Sequence, residues 1–518
     1  MAALPLQGSA AYGNRTLVTI AVMTAAFMQS VDISIANVAM PHMQGSLSAA
    51  QDQITWVLTS YIVAAAVMIP LSGWLARRFG RKRVLLASVA GFTFASVLCG
   101  AATTLPQMVI FRLLQGVCGA ALQPLAQAVL LDINPRERHG RAMATWGMGI
   151  TVAPLFGPTL GGWITESYSW RWVFYINVPF GILAFLGLLL CFREQRVMEP
   201  RPFDFFGFAT LSLAVGALQM MLDRGQQNDW FDTGETILEA AIAAGSFWVF
   251  AVHSATAKNA FINPRMLKDR TFVSSCILIF IMASIFNSTI SLVQPMLQNQ
   301  LGYSAYFSGW VVMPRSVANM ASLYIIGRLL NRIDPRVFLL MGFILTSIGM
   351  RLMGSLSPDT DETPIVIASI IQGIGVGCIF APLSTAAFMT LQPQLRTEGA
   401  TLYSLVRNIG GSTGISVFQT ILSRNIQVNH EQLAAQVTPY NQALTHPAVQ
   451  AFWNLHTEHG LALLNQEVTR QAVMIAYMDD FKLMSLELLC AIPVLFLLRL
   501  KRPPPPVLAP DAVAKPAE

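Results

Sequence analysis

The sequence predicts an all-α protein that crosses a membrane about fourteen times, and three observations carry that prediction. Of 518 residues, 54% are hydrophobic and only 12% charged, where soluble chains run to roughly 25% charged residues. Too few charges remain to clothe a soluble surface of that size. Apolar runs of about 20 residues, the length that spans a bilayer core as helix, recur along the whole chain. The net charge of +6 is dispersed between those runs instead of gathered on one polar domain, which argues against a nucleic-acid partner.

The runs lie at 16–41, 54–76, 84–104, 106–131, 142–166, 172–192, 205–222, 236–254, 271–297, 306–330, 337–355, 364–391, 399–425 and 480–498. No positively charged segment and short apolar run with a small-residue cleavage site precede them, so the first run is expected to stay as a span. The six cysteines fall inside apolar runs with no CxxC spacing, which indicates neither a disulfide framework nor a zinc site. His456 and His459 sit at helical spacing, but two ligands are too few for a metal, and no metal or other cofactor is expected.

Orientation follows from Lys and Arg, because basic loops stay cytoplasmic. With the N-terminus inside, about 24 of the 33 Lys and Arg fall on the cytoplasmic side. They include Arg77, Arg78, Arg81, Lys82 and Arg83. Both ends of the chain are therefore expected in the cytoplasm.

The chain also repeats itself at an offset of about 254 residues. GWLARRFGRKRVLL from Gly73 aligns with GRLLNRIDPRVFLL from Gly327, and LLQGVCGAALQPL from Leu113 with IIQGIGVGCIFAPL from Ile370. The second match pairs Gln115 with Gln372 and Gly116 with Gly373. Six spans plus an insert produce such an offset when two parallel six-helix halves enclose a central cavity. The expected organisation is a first half at 1–200, two inserted spans at 201–260, and a second half at 261–500. The second half includes a helical, non-cytoplasmic segment at 426–478, and 501–518 form a proline-rich flexible tail.

These motifs resemble the drug:proton antiporters of the major facilitator superfamily with fourteen spans, the EmrB/QacA type, over essentially the whole chain to about residue 500. VDISIANVAMP from Val31, with Asp32, Asn37 and Pro41, looks like that branch's first-span signature. GWLARRFGRKR from Gly73 resembles the loop motif between spans two and three, which includes Gly80 and Arg81. FRLLQG from Phe111 resembles the fourth-span motif whose arginine is linked to proton movement, and WRWVFYINVPFG from Trp170 is typical of the boundary before span six. GPTLGG, with Gly157, Pro158, Gly161 and Gly162, resembles the fifth-span antiporter motif. Two positions depart from the pattern: Arg77 stands where the loop motif usually has an acidic residue, and Ala153 where the fifth-span motif often has glycine.

Buried charge in lipid is costly unless paired or hydrated, so ionisable residues deep in a span are functional candidates. Asp32 lies roughly 13 Å from the outer end of its run and Arg112 roughly 9 Å from the outer end of its own, at 1.5 Å per residue. At comparable depth, Asp32 is the candidate for the coupling proton and for attracting cationic substrates, with Arg112 and Gln115 tuning it; a fixed brace for helix packing is the structural alternative. Arg315 and Arg407 fit either an anion or gate site, or bracing by backbone carbonyls, and Glu487 fits a lipid or partner boundary. Gly157, Pro158, Gly161 and Gly162 fit a hinge or ordinary close packing. Gly73, Gly80 and Arg81 fit a gate or a basic anchor on anionic lipid.

The resemblance implies a proton-driven exporter of amphipathic toxic compounds in the inner membrane. It implies a periplasmic adaptor of the EmrA kind and an outer-membrane channel as partners, and the proton gradient in place of a cofactor. No G-x-x-x-x-G-K-[ST] motif is present for a built-in ATPase, and no nucleophile and base pair is seen for an enzyme. Export of a dedicated metabolite, such as a fatty acid or siderophore, would use the same scaffold. A receptor or assembly scaffold remains a third reading.

Overall fold

A computed structural model describes residues 14–193, 202–257, 259–330, 332–438 and 457–498, with isolated positions between 441 and 454. The predicted tail at 501–518 lies outside the described residues. Among those residues there is no strand, and each of the fourteen predicted runs is helix. They are α1 (Arg15–Ser46), α2 (Trp56–Phe79), α3 (Arg81–Ala101), α4 (Leu105–Ile133), α5 (His139–Ser167), α6 (Trp172–Cys191), α7 (Phe205–Arg224), α8 (Gly234–Thr256), α9 (Arg270–Gln300), α10 (Ala305–Leu329), α11 (Pro335–Met353), α12 (Glu362–Met389), α13 (Arg396–Ala435) and α14 (Glu458–Leu495). Ten are long and apolar enough to cross a membrane; α5, α10, α13 and α14 are not among these ten.

Local chemistry sets the helix starts. Side chains of Asn14, Thr104, Asp204, Asp269, Ser304, Asp334 and Thr457 accept hydrogen bonds from first-turn N–H groups that have no intrahelical partner. Gly80 makes the turn between α2 and α3 at φ 90°, a backbone region that side-chain-bearing residues avoid. The far end of α9, Met296–Gln300, is wound as π-helix.

Two helices outrun their predicted spans. α13 continues to Ala435, and α14 begins at Glu458, well before the predicted 480. No proline interrupts 458–480, and the i, i+3 pair of Glu467 with Arg470 supports the polar turns. The Arg470 guanidinium holds the Glu467 carboxyl below its usual range. His430 on α13 meets Asn465 on α14 at 3.0 Å. The described residues of the polar segment thus extend α13 and form the first part of α14, which is about 30 Å long up to residue 480.

Packing repeats with the sequence. α1 contacts α4, α5 and α6, α2 contacts α4, and α3 contacts α4 and α6; correspondingly α9 contacts α12, α13 and α14, α10 contacts α12, and α11 contacts α12 and α14. The halves meet where α5 touches α10 and α12, and where α13 touches α2 and α4. Each of these contacts is the image of another under exchange of halves, as two parallel repeats require. α7 and α8 pair with each other, and α7 lies on α2 and α13.

Glycines fix the close approaches at matching positions. A Cβ added at Gly116 would fall 2.5 Å from the Tyr61 carbonyl oxygen of α2, and one at Gly373 would collide with the Arg315 carbonyl of α10. Backbone blocks both sites, so a side chain there must push the neighbouring helices apart. Gly116→Leu is expected to destabilise the protein by roughly 1–3 kcal/mol, seen as a lower thermal midpoint in detergent; an unchanged midpoint would contradict this packing.

Candidate functional site

Asp32 and Arg112 are each only 1% exposed, on α1 and α4. Arg112 Nη1 donates to Asp32 Oδ2 at 2.6 Å and to Gln115 Oε1 at 2.7 Å. Gln115 Nε2 donates to Asp32 Oδ1 at 2.9 Å. The contact between Asp32 and Arg112, left open by their depths in the sequence, is made.

A further donor completes the site. Asn177, at the start of the longer segment of α6, donates from Nδ2 to Asp32 Oδ1 at 2.7 Å and to Ser96 Oγ at 2.9 Å. Ser96 of α3 in turn donates to the Phe174 carbonyl at 2.8 Å. The Arg112 guanidinium lies 4.7 Å from the Phe174 ring and 5.5 Å from the Tyr61 ring, which favours the cation. Sequence reasoning missed Asn177 and Ser96, although Asn177 lies inside the quoted WRWVFYINVPFG stretch.

All three groups facing Asp32 donate, so the site is built for a carboxylate. A proton on Asp32 would set a donor against donors and leave the Arg112 charge buried without its counter-ion. Asn37, the other polar residue of the first-span motif, is exposed and five residues on, about 140° around the helix. The structure does not bring it to the triad.

Between the halves lies a cavity of about 170 Å³. Its lining includes Gln123 and Thr151 from the first half and Phe286, Asn287, Asn319 and Arg407 from the second. Arg407 Nη2 donates to Gln123 Oε1 at 2.5 Å, and its guanidinium sits 5.2 Å from the Trp146 ring. Arg315 is buried beside this wall, 5.2 Å from the Phe286 ring, with Nη2 lacking a hydrogen-bond partner among the described residues. Asp32 does not line this cavity, so in this conformation a substrate in it would meet Arg407 and amides, and the triad would be sealed off.

At the end of the molecule bearing the Arg77–Arg83 cluster, the halves are clasped by charge. Arg77 pairs with Glu398, and Arg81 pairs with Asp132, which also accepts from Arg396 Nη1 at 3.3 Å. Gly73 lets α2 approach α13: a Cβ there would lie 3.0 Å from Thr401 Oγ1. Its repeat partner Gly327 meets α5 at Ala144. At the position where the loop motif usually has an acidic residue, Arg77 thus finds its acid, Glu398, across the interface. Asp132, Arg396 and Glu398 carried no signal in the sequence beyond being charges at run ends.

The glycine motif of α5 divides. Gly157 faces Ser34 of α1 closely, and a Cβ on Gly161 would lie 3.2 Å from Ile35, whereas nothing stands within 4 Å of one on Gly162. Close packing on α1 therefore accounts for Gly157 and Gly161. The Pro158 side chain lies outside the described residues.

This architecture, two packed six-helix repeats around a central cavity, is that of a membrane transporter. A family model described as Major Facilitator Superfamily matches residues 22–415, and the chain belongs to that superfamily. Within it, the chain is 34% identical to the multidrug export protein EmrB of Haemophilus influenzae, over 93% of this chain and 94% of that protein. It is 33% identical to EmrB of Escherichia coli K12, over 92% and 93%. It is also 33% identical to the fatty acid resistance protein FarB of Neisseria gonorrhoeae, over 95% and 97%. The crystal structure of the human organic anion transporter MFSD10 superposes with a TM-score of 0.59 at 11% identity, covering 93% of this chain and 99% of that one, a likeness of fold.

Breaking a buried ion pair by removing one partner costs about 3–5 kcal/mol, because the other charge is stranded. Asp32→Asn and Arg112→Gln are each expected to lower stability by that order, and the double variant by clearly less than their sum. A thermal-unfolding double-mutant cycle checks this; additive losses would contradict direct pairing.

Proposed function

We propose that this chain is a multidrug exporter that moves hydrophobic or amphipathic toxic compounds out across the inner membrane in exchange for protons. In this reading all fourteen helices cross the bilayer, and the basic, clasped end and both termini face the cytoplasm. The similarity to EmrB supports the transported class, and the buried Asp32 site is the observation that carries proton coupling. Each elementary charge moved across the membrane is worth about 2.3 kcal/mol per 100 mV.

The mechanism follows from how α4 is built. Its beginning holds Arg112 and Gln115 on Asp32, Gln123 meets Arg407 at the cavity, and Asp132 near its end anchors Arg81 and Arg396. The Asp32 triad and the clasp are thus two ends of one helix, roughly 30 Å apart at 1.5 Å per residue. A proton reaching Asp32 from outside frees Arg112, loosens α4 against α1 and α6, and lets the clasped end open. Loss of that proton to the cytoplasm, with substrate in the cavity, restores the triad and closes it. The long α13–α14 extension supplies a surface outside the bilayer for a periplasmic adaptor, with an outer-membrane channel completing a tripartite pump.

Asp32→Asn, compared with wild type at matched protein levels in proteoliposomes, is expected to reduce gradient-driven efflux of a lipophilic dye at least about tenfold, the scale of 1.4 kcal/mol lost from coupling. Efflux that survives the substitution would move coupling elsewhere.

A second reading is export of a dedicated amphipathic carboxylate. The cavity lining favours it, because Arg407 and amides face the cavity and no carboxylate is among the lining residues. FarB, whose name links it to fatty acid resistance, supports the same class. Arg407→Gln is expected to weaken export of a fatty acid about tenfold, the scale of one charged hydrogen bond, while sparing a cationic dye. Equal loss for both would assign Arg407 to helix bracing.

A further inference from the structure

The two halves are not chemically equal. The spacing that carries Gln115 onto Gln372 and Gly116 onto Gly373 carries Asp32 onto Thr289 and Arg112 onto Ser369. No carboxylate or cation stands at those points of the second half. Thr289 there faces the sulfur atoms of Met350 and Met484, each at 3.9 Å, and Gln372 Nε2 meets Met350 Sδ at 3.2 Å. One turn along α14 from Met484 lies Asp480.

Asp480 is fully buried, 0% exposed, and neither carboxylate oxygen has a hydrogen-bond partner among the described residues. Its neighbour Asp479 is paired with Lys482 at 3.0 Å on the more open side of the helix. α9, including its π-wound end, has no charged residue from Thr271 to Gln300. On α11, Arg351 is exposed, and Gly354 just beyond the helix abuts Met478 and Lys482. On α13, Arg424 is exposed and His430 is held by Asn465. On α14 itself, the aromatic body of Tyr477 is buried with the core, and Glu487 lies two turns on, half-buried. Among the described residues, no cation pairs with Asp480.

An ionised carboxylate without a cation or a hydrogen-bond donor is too costly to persist in such a place. The described residues hold no group of three or more His, Cys, Asp and Glu that would cage a metal ion. We propose that Asp480 is a proton-binding site of the second half, holding a proton as a neutral carboxylic acid while the basic end is clasped. It lies in a different half from Asp32, and it stands whether or not Asp32 couples transport.

Infrared difference spectroscopy of the purified full-length protein in lipid tests this without transport. Wild type is expected to show the carbonyl band of a protonated carboxylic acid at neutral pH. Asp480→Asn is expected to abolish that band, while Asp32→Asn and Glu487→Gln leave it. If Asp480→Asn does not yield folded protein, Asp480→Glu serves instead, and its band is expected to persist at a shifted frequency. Absence of the band from wild type overturns the proposal, as does its survival in Asp480→Asn or an unshifted band in Asp480→Glu. A band that appears only when sodium is withdrawn also overturns it, assigning the site to a cation.

Discussion

The contact between Asp32 and Arg112 constrains more of this molecule than any other single interaction. Two charges at 1% exposure persist only because each is the other's counter-ion and because Gln115 and Asn177 donate to the carboxylate as well. Those donors come from α4 and α6, and Asn177 is itself bonded to Ser96 on α3. Four helices of the first half are therefore registered on one carboxylate. A change in the charge of that group is felt as a change in how the helices fit.

That local fact acquires reach through α4, which runs from the triad past the central cavity to the clasp. At the clasp, Asp132 holds one arginine from each half, so the end of α4 belongs to the seal itself. Arg77 and Glu398 pair as well, with the arginine on the first half and the acid on the second. A seal of this kind needs complementary charge across the interface and is indifferent to which half supplies the acid.

Much of this was legible in the sequence, for identifiable reasons. Apolar runs reveal spans because lipid admits little else, and the Gly73–Gly327 and Gln115–Gln372 correspondences reveal the repeat because helix contacts recur in both halves. Asp32 and Arg112 stood out because charge inside an apolar run is expensive, and Gln115 because the repeat pairs it with Gln372. Asn177 and Ser96 did not, since an uncharged polar residue in a span bears no comparable cost. Glu398 and Asp132 were hidden by position, as charges at helix ends are ordinary until a partner across the interface is known. The polar stretch before α14 was expected to be helical, but its continuity with the apolar run was not, because hydropathy marks where lipid ends and says nothing of where a helix ends.

The central claim is that protonation of Asp32 opens the clasped end. Double electron–electron resonance between spin labels on α2 and α13 near that end, in lipid and across a pH titration, measures this directly. The account predicts a short distance at alkaline pH, a growing long-distance population on acidification, and a long-distance population at every pH in Asp32→Asn. A distance that ignores pH, or one that responds identically with and without Asp32, would contradict it.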